Sequence, residues 1–209
     1  MRELGSNLRV CFIPKKLKEE ICANMPKKFN KYFVAITPKG EIQDLATGIK
    51  LQLREKFNLK YALKSPSHVT LKMPFLWNAA KEDDLVYRLS LFFIQHPPFN
   101  LKLKGIGRFG NRVIFVKVEK IKPIMDLQKN LSVFCKTECN LKLELSDYAY
   151  NPHMTLAFKD VKERFFEDYI QFLKTLTIHH NMVVNEVALL RKEEREWQVC
   201  HRFPLSTSL

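Results

Sequence analysis

The spacing of apolar residues divides the chain into short alternating stretches and longer stretches with helical periodicity. Residues 31–37, KYFVAIT, are apolar or β-prone and stop at Pro38, which predicts a strand. Residues 41–57 carry apolar side chains three and four positions apart, which predicts an amphipathic helix. The same criteria predict strands at 67–74, 99–105, 111–119, 148–158, 182–191 and 197–203, and helices at 83–97, 123–137 and 163–176.

The predicted elements occur twice in one order: strand, helix, strand, helix, strand. Because each set of five elements is much longer than a solenoid repeat, this order indicates a duplicated lobe rather than a repeat array. A chain of 209 residues can bury a substantial core as one domain with two similar lobes. Residues 1–30 are rich in lysine with weak periodicity and are predicted to form a basic N-terminal arm, while residues 31–209 form the single folded domain.

One tetrapeptide recurs at matching places in the two halves: HVTL at 68–71 returns as HMTL at 153–156. In a strand, successive side chains point to opposite faces, so the histidine and threonine of each copy share one face. Histidine has an ordinary pKa of about 6.5, close to neutrality, so a facing pair can supply one acid and one base. The pattern predicts acid and base catalysis by His68 and His153, with two threonine hydroxyls on the same face to hold an anion.

Charge and cysteine content narrow the class of protein. The chain has 35 Lys and Arg against 22 Asp and Glu, and a net charge of +13 favours phosphate-bearing partners, although a solvated lysine-rich surface would give the same charge. Its 5 cysteines are irregularly spaced, which argues against a disulfide framework and a structural zinc site. There is no apolar run of membrane-spanning length, and the apolar patch at 8–13 is too short for a secretory signal, so we expect a cytoplasmic protein.

Several motifs of other phosphate-handling and hydrolytic enzymes are missing from the sequence. Neither GxxxxGK[ST] nor GxSxG occurs, and no carboxylate cluster accompanies the two histidines. The glycine-rich segment 105–110 lies between two predicted strands and is predicted to be a hairpin turn. Acid and base catalysis by histidines, without a metal or other cofactor, is the chemistry that remains.

The paired tetrapeptides at 68–71 and 153–156 resemble the HxTx motifs of the 2H phosphoesterase superfamily, in particular its 2'-5' RNA ligase-like and RNA 2',3'-cyclic phosphodiesterase branch. The resemblance extends over about residues 31–203. It implies an α+β, bilobal duplicated fold, with an antiparallel-rich sheet in each lobe, helices on the outside and both motifs in a central groove. It also implies metal-independent hydrolysis of 2',3'-cyclic phosphates of RNA ends or small nucleotides to 2'-phosphates.

The same resemblance implies a role for each residue of the two motifs. His68 would protonate the departing ribose 3' oxygen, and His153 would accept a proton from water. Thr70 and Thr155 would hold the non-bridging phosphate oxygens. We expect RNA ends or small cyclic nucleotides as partners of a monomer that contacts no membrane.

Weaker candidates and alternative functions remain open. Phe75 and Tyr150 lie near the motif strands and are candidates for stacking on a base, although core packing is the favoured explanation for Phe75. Lys72, Arg108 and Lys159 are either contributors of positive potential at the groove or ordinary exposed residues. Besides hydrolysis, the chain could join RNA ends through a 2'-5' linkage at the same site, or bind a nucleotide or RNA end without processing it.

Overall fold

The computed structural model describes residues 28–206, in which eight strands form one continuous sheet. The strands are β1 (Phe29–Ile36), β2 (Val69–Asn78), β3 (Phe99–Phe109), β4 (Val113–Val118), β5 (His153–Phe158), β6 (His179–Val184), β7 (Glu186–Glu193) and β8 (Glu196–Pro204). Their order across the sheet is β6-β3-β4-β5-β2-β1-β7-β8. Every neighbouring pair is antiparallel.

The helices connect these strands, and their apolar sides pack on one face of the sheet. The α-helices are α1 (Glu41–Phe57), α2 (Glu82–Phe93), α3 (Lys122–Thr137), α4 (Leu145–Tyr148) and α5 (Phe166–Lys174). Short 3-10 turns cover Tyr61–Lys64, Ala79–Lys81 and Glu163–Phe165. None of the helices within residues 28–206 is long and apolar enough to cross a membrane.

The sheet consists of two four-stranded lobes that meet at the motif strands. Lobe one contains β2, β1, β7 and β8, and lobe two contains β6, β3, β4 and β5. The two lobes are joined by a short β2–β5 pairing in which Val69 is the partner of Met154. The predicted α+β, bilobal, antiparallel fold is confirmed. The first half of the sequence also contributes its last strand, β3, to lobe two, and the second half contributes its last two strands, β7 and β8, to lobe one.

Strand alternation separates the core from a second face of the sheet. In β1, the side chains of Tyr32, Val34 and Ile36 enter the main core beneath the helices, where they are almost fully buried. The intervening Phe33 and Ala35 point the other way and belong to a small apolar cluster with Ala188, Leu190, Trp197 and Val199. We call this second face the groove face.

Three predictions from the sequence differ from the structure, each for a physical reason. The glycine-rich segment 105–110 is mostly strand and not a turn, because β3 pairs with β4 as far as Phe109, and only residues 110–112 reverse the chain. The apolar run at 182–191 is two strands rather than one, because β6 pairs with β3 in lobe two while β7 pairs with β1 in lobe one. The strand predicted at 148–158 begins only at His153, because α4 ends at Tyr148 and residues 149–152 form an irregular segment between the two elements.

The predicted N-terminal arm lies almost wholly outside the described residues. Of its positions, Phe29 and Asn30 already belong to β1, where they pair with Asn78 and Trp77.

Candidate active site

The two motifs meet at the junction of the lobes and share one face of the sheet. Because Val69 pairs with Met154 in antiparallel register, His68 lies opposite Thr155, and Thr70 lies opposite His153. Opposite residues of such a pair have Cβ atoms about 4.5–5.5 Å apart, and diagonal neighbours are about 7–8 Å apart. The two histidines are diagonal neighbours in this register. The four side chains therefore border one small area of the groove face, as the alternation predicts.

Both histidines are held by the same hydrogen bond. His68 donates Nδ1–H to the carbonyl of Pro66 at 2.7 Å, and His153 donates Nδ1–H to the carbonyl of Asn151 at 2.7 Å. A carbonyl oxygen can only accept, so each ring carries its proton on Nδ1 when neutral. Each Nε2 is then left with a free lone pair that can take up a proton.

The His68 ring packs against lobe one. Its centroid lies 4.8 Å from that of Phe33. Burial lowers the pKa of His68 to about 4, although the hydrogen bond to Pro66 acts in the opposite direction. The positive charges of Lys50 and of protonated His153 lower this pKa further. His68 is therefore neutral near pH 7 in the free protein.

The His153 ring packs between two aromatic rings of lobe two. The centroid of Phe109 lies 4.9 Å away and that of Phe115 5.0 Å away. Burial lowers the pKa of His153, while its hydrogen bond to Asn151 opposes the change. Phe115 occupies this place because Gly107, its partner on β3, has no side chain: a Cβ there would overlap the Phe115 ring.

The segment before the first motif is fixed by two side chains of α1. The amide of Gln43 accepts from the backbone N–H of Ser67 at 2.9 Å and donates to its carbonyl at 3.0 Å. The buried Lys50 donates to the carbonyl of Ser65 at 3.3 Å, and burial lowers the pKa of Lys50 to about 8. Sequence reasoning missed Lys50, although a lysine beside Ile49 on the apolar side of a predicted helix was a signal.

The segment before the second motif is fixed by a buried ion pair. Lys72 is fully buried, and its Nζ lies 2.8 Å from Oδ2 of Asp147 in α4. The same carboxylate accepts from the backbone N–H of Glu144 at 2.8 Å. Gln128 of α3 donates to the Asp147 carbonyl at 3.1 Å. Lys72 thus orders the approach to His153. Both interpretations of this lysine, as a source of charge at the groove and as an ordinary exposed residue, are therefore wrong.

A pocket of about 100 Å³ opens beside Thr70 and His153. Tyr150 lines it, and the Tyr150 hydroxyl is buried without a hydrogen-bond partner in the described structure. Burial raises the pKa of Tyr150. Phe75 is not part of this pocket: only 8% of its surface is exposed, and its ring stacks on Tyr32 with centroids 6.1 Å apart. The suggestion that Phe75 stacks on a base is therefore corrected, because its ring belongs to the core.

The candidate Arg108 and two of the cysteines lie apart from the two motifs. Arg108 forms a 2.9 Å ion pair with the exposed Glu167 of α5. Cys135 and Cys139 are buried free thiols. Within residues 28–206, no group of three or more His, Cys, Asp or Glu side chains is placed to hold a metal ion.

Comparison with known proteins places the chain among phosphoesterases and RNA ligases. Residues 38–196 match the family model of the 2'-5' RNA ligase superfamily. A Bacillus pumilus protein named "Putative phosphoesterase" is 31% identical over 179 residues, which cover 84% of this chain and 97% of that protein. A protein with the same kind of name from Bacillus cytotoxicus is 30% identical over 178 residues, covering 84% of this chain and 96% of that protein.

Solved structures share the fold at low sequence identity. LigT of E. coli in its apo form has a TM-score of 0.59 and 19% identity, covering 86% of this chain and 99% of LigT. The protein TT0787 of Thermus thermophilus also has a TM-score of 0.59, with 20% identity, and covers 84% of this chain and 97% of that protein.

Proposed function

The chain belongs to the 2'-5' RNA ligase superfamily and is therefore a phosphoesterase or a 2'-5' RNA ligase, and from this premise we propose that it hydrolyses 2',3'-cyclic phosphates of RNA ends or small nucleotides to 2'-phosphates. The observation that carries the proposal is the mirrored pair of imidazoles. Both Nδ1–H groups are tied to backbone carbonyls at 2.7 Å, which leaves both Nε2 atoms for proton transfer on one face of the sheet.

In the proposed reaction, water attacks the phosphorus atom while the bond from phosphorus to the ribose 3' oxygen breaks. His153 accepts the proton of the attacking water through Nε2, and His68, protonated on Nε2, donates its proton to the departing 3' oxygen. Thr70 and Thr155 donate hydrogen bonds to the non-bridging oxygens. The product is a 2'-phosphate with a free 3' hydroxyl, and the two histidines have exchanged protonation states.

Because the pKa of His68 is lowered in the free protein, His68 can act as the acid only if substrate binding favours its protonated form. A bound phosphodiester carries a negative charge, and an opposite charge within a few ångströms favours the imidazolium. The pKa of His68 therefore rises from about 4 in the free protein towards neutrality when the substrate is present. His153 is already neutral near pH 7, as a base must be.

Two further observations support a nucleotide in the groove. LigT of E. coli has been solved in complex with 3'-AMP, with a TM-score of 0.58 and 18% identity to this chain. In this chain, the pocket lined by Tyr150 lies directly beside Thr70 and His153, where the base or ribose attached to the reacting phosphate would lie. We propose that Tyr150 contacts that group.

The test is hydrolysis of 2',3'-cyclic AMP in the presence of EDTA, with the product identified by ³¹P NMR. We expect turnover to a 2'-phosphate, and a loss of about 10²–10⁴-fold in His68→Ala and in His153→Ala, since general acid and base catalysis contributes on this order. His179→Ala is the matched control, because His179 is exposed on β6 and should not affect the rate. An absence of turnover in EDTA, or equal rates in all three variants, contradicts the proposal.

The same assay separates the two alternatives. Adding an RNA with a 5' hydroxyl end to an RNA with a 2',3'-cyclic phosphate end tests 2'-5' ligation, which would give a longer product. Saturable binding of the cyclic nucleotide without any product would instead identify a binding module.

A further inference from the structure

Three lysines gather around Tyr61, on the 3-10 turn before the first motif. Lys159 donates from Nζ to the Tyr61 hydroxyl at 2.9 Å, and its Nζ lies 4.6 Å from the centre of the ring. The Nζ of Lys64 lies 4.7 Å from the same centre. Lys192 of β7 lies over Trp197, 5.4 Å from its ring centre. We call Lys64, Lys159 and Lys192 the lysine cluster.

The charges of the lysine cluster act on one another and on Tyr61. The hydrogen bond from Lys159 lowers the pKa of Tyr61, and the charges of Lys64 and Lys192 act in the same direction. Burial lowers the pKa of Lys192, and the charges of Lys64 and Lys159 lower it further, whereas Tyr61 and the carboxylate of Glu196 act in the opposite direction. These three positive charges are therefore close enough to repel one another.

No carboxylate forms an ion pair with the lysine cluster within residues 28–206, although Glu196 acts on Lys192 from beyond ion-pair distance. None of the three lysines has an ion pair there, whereas ten other pairs of oppositely charged residues do. Two acids are adjacent to the cluster in sequence: Asp160 accepts the backbone N–H groups of Lys60 and Tyr61 through one carboxylate oxygen, and Glu193 pairs with Arg191. Repulsion among the three lysine charges is relieved when an anion binds between them.

The lysine cluster is continuous with the active site. The Trp197 ring contacts Phe33 with centroids 4.7 Å apart, and Phe33 in turn contacts His68 at 4.8 Å. On the other side, Tyr61 meets Phe158, with centroids 4.9 Å apart, at the end of the strand that carries Thr155. Two aromatic rings, Trp197 and Phe33, thus connect the cluster to His68, and Tyr61 and Phe158 connect it to the strand of the second motif.

We propose that the lysine cluster is a second phosphate site, which binds the backbone phosphate next to the reacting cyclic phosphate, so that the preferred substrate is an RNA chain and not a mononucleotide. This inference rests on the proposed function, since it extends the same groove by one nucleotide. In an RNA that ends in a 2',3'-cyclic phosphate, the next phosphate is attached to the 5' oxygen of the terminal nucleoside. The aromatic rings of Trp197 and Tyr61 beside the cluster are of the kind on which unpaired bases stack.

The kinetic test compares two substrates in the full chain. One is a nucleoside 2',3'-cyclic phosphate with a free 5' hydroxyl, and the other is a dinucleotide with the same cyclic end and one additional phosphate. In the Lys64→Gln, Lys159→Gln, Lys192→Gln triple variant, we expect the KM for the dinucleotide to rise about tenfold, a modest value suited to partly exposed charges. The KM and kcat for the mononucleoside substrate should stay unchanged. The matched control replaces the same number of exposed lysines that have no ion pair: Lys120, Lys129 and Lys136, each by Gln.

Equal changes for both substrates, or no change for either, would overturn the second phosphate site. A binding measurement keeps this outcome distinct from failure of the proposed reaction. It uses fluorescence anisotropy of a labelled RNA hexamer with a 3'-phosphate at several salt concentrations. Each lost phosphate contact reduces the slope of log affinity against log salt by roughly 0.7. A smaller slope in the triple variant than in the control would support the second phosphate site, even if no cyclic phosphate is turned over and the proposed reaction is rejected. Equal slopes in the two variants would reject the second phosphate site.

Discussion

His68 and His153 each donate Nδ1–H to a carbonyl two residues earlier, at the same distance of 2.7 Å, but the side chains around the two rings differ. Burial lowers the pKa of His68, which packs on Phe33, to about 4, and the charges of Lys50 and His153 lower it further. His153 lies between Phe109 and Phe115, and the lowering of its pKa comes from burial alone. The duplicated backbone sets the tautomer in both copies, whereas the neighbouring side chains set how readily each ring takes a proton.

The segments that precede the two histidines differ in the same way. α1 holds the first segment through Gln43 and Lys50, which bind backbone atoms directly. The second is held through the buried pair of Lys72 and Asp147. Equivalent positions in the two lobes therefore depend on different chemistry, and substitutions should affect them unequally.

The largest expected effect separates the acid from the base. We expect His68→Gln and His153→Gln each to lower the rate on a 2',3'-cyclic nucleotide by about 10²–10⁴-fold. With bis(4-nitrophenyl) phosphate as substrate, the rate of His68→Gln should be within about tenfold of the rate of the unaltered protein, because 4-nitrophenolate leaves without protonation. His153→Gln should stay impaired, because water still needs a base. Steady-state release of 4-nitrophenolate measures both, and recovery in His153→Gln but not in His68→Gln would exchange the two roles.

The next effect concerns stability and the support of the second histidine. Lys72→Met leaves the carboxylate of Asp147 buried without its counter-charge, which typically costs about 3–5 kcal/mol of unfolding free energy. Urea denaturation measures this loss. Adding Asp147→Asn to Lys72→Met should restore part of the stability, because it removes the unpaired charge while an amide oxygen can still accept from Glu144. Equal stability of the single and double variants would show that the pair does not act as an ion pair.

The sequence predicts the motif face but not the residues that support it. The common face of His68 and Thr70 follows from strand alternation alone. By the same alternation Lys72 should join them, but the register shifts between Thr70 and Lys72: Ala35 pairs with Thr70 and Val34 with Lys72. This β-bulge turns Lys72 into the core. Such a shift depends on the partner strand and has no local sequence signal.

Helix and strand predictions show the same limit. The predicted helix at 41–57 has the bounds observed for α1, because helical periodicity is local. The division of the predicted strand 182–191 at Asn185 is not local, since it reflects which lobe each part joins. The lysine cluster combines a turn, the end of β5 and the hairpin of β7 and β8, so only the folded chain brings it together.

A third expected effect separates the two rings through their packing. Gly107→Ala pushes its Cβ into the Phe115 ring, which rests on His153 and not on His68. Overpacking of this kind costs about 1–3 kcal/mol, and a misplaced His153 should lower kcat on the cyclic substrate by about tenfold or more. The control is Gly48→Ala in α1, where nothing lies within 4 Å of the added Cβ. Gly48→Ala should stabilise the protein by about 0.5–1 kcal/mol without changing kcat. Equal kcat values in the two variants would show that Phe115 does not position His153.

The smallest expected effect tests the source of the difference in proton affinity. Lys50→Met removes a positive charge near His68, so the pKa of His68 should rise from about 4, while that of His153 should not move. Imidazole NMR titration of the free protein measures both values. Because the rate needs one protonated and one neutral ring, the pH profile of kcat/KM has two limbs, and the limb set by His68 should move to higher pH in Lys50→Met. Lys56→Met, at an exposed position of the same helix, is the control and should leave both histidines unchanged. If the pKa of His68 does not change in Lys50→Met, the charge of Lys50 does not contribute to the difference between the two copies.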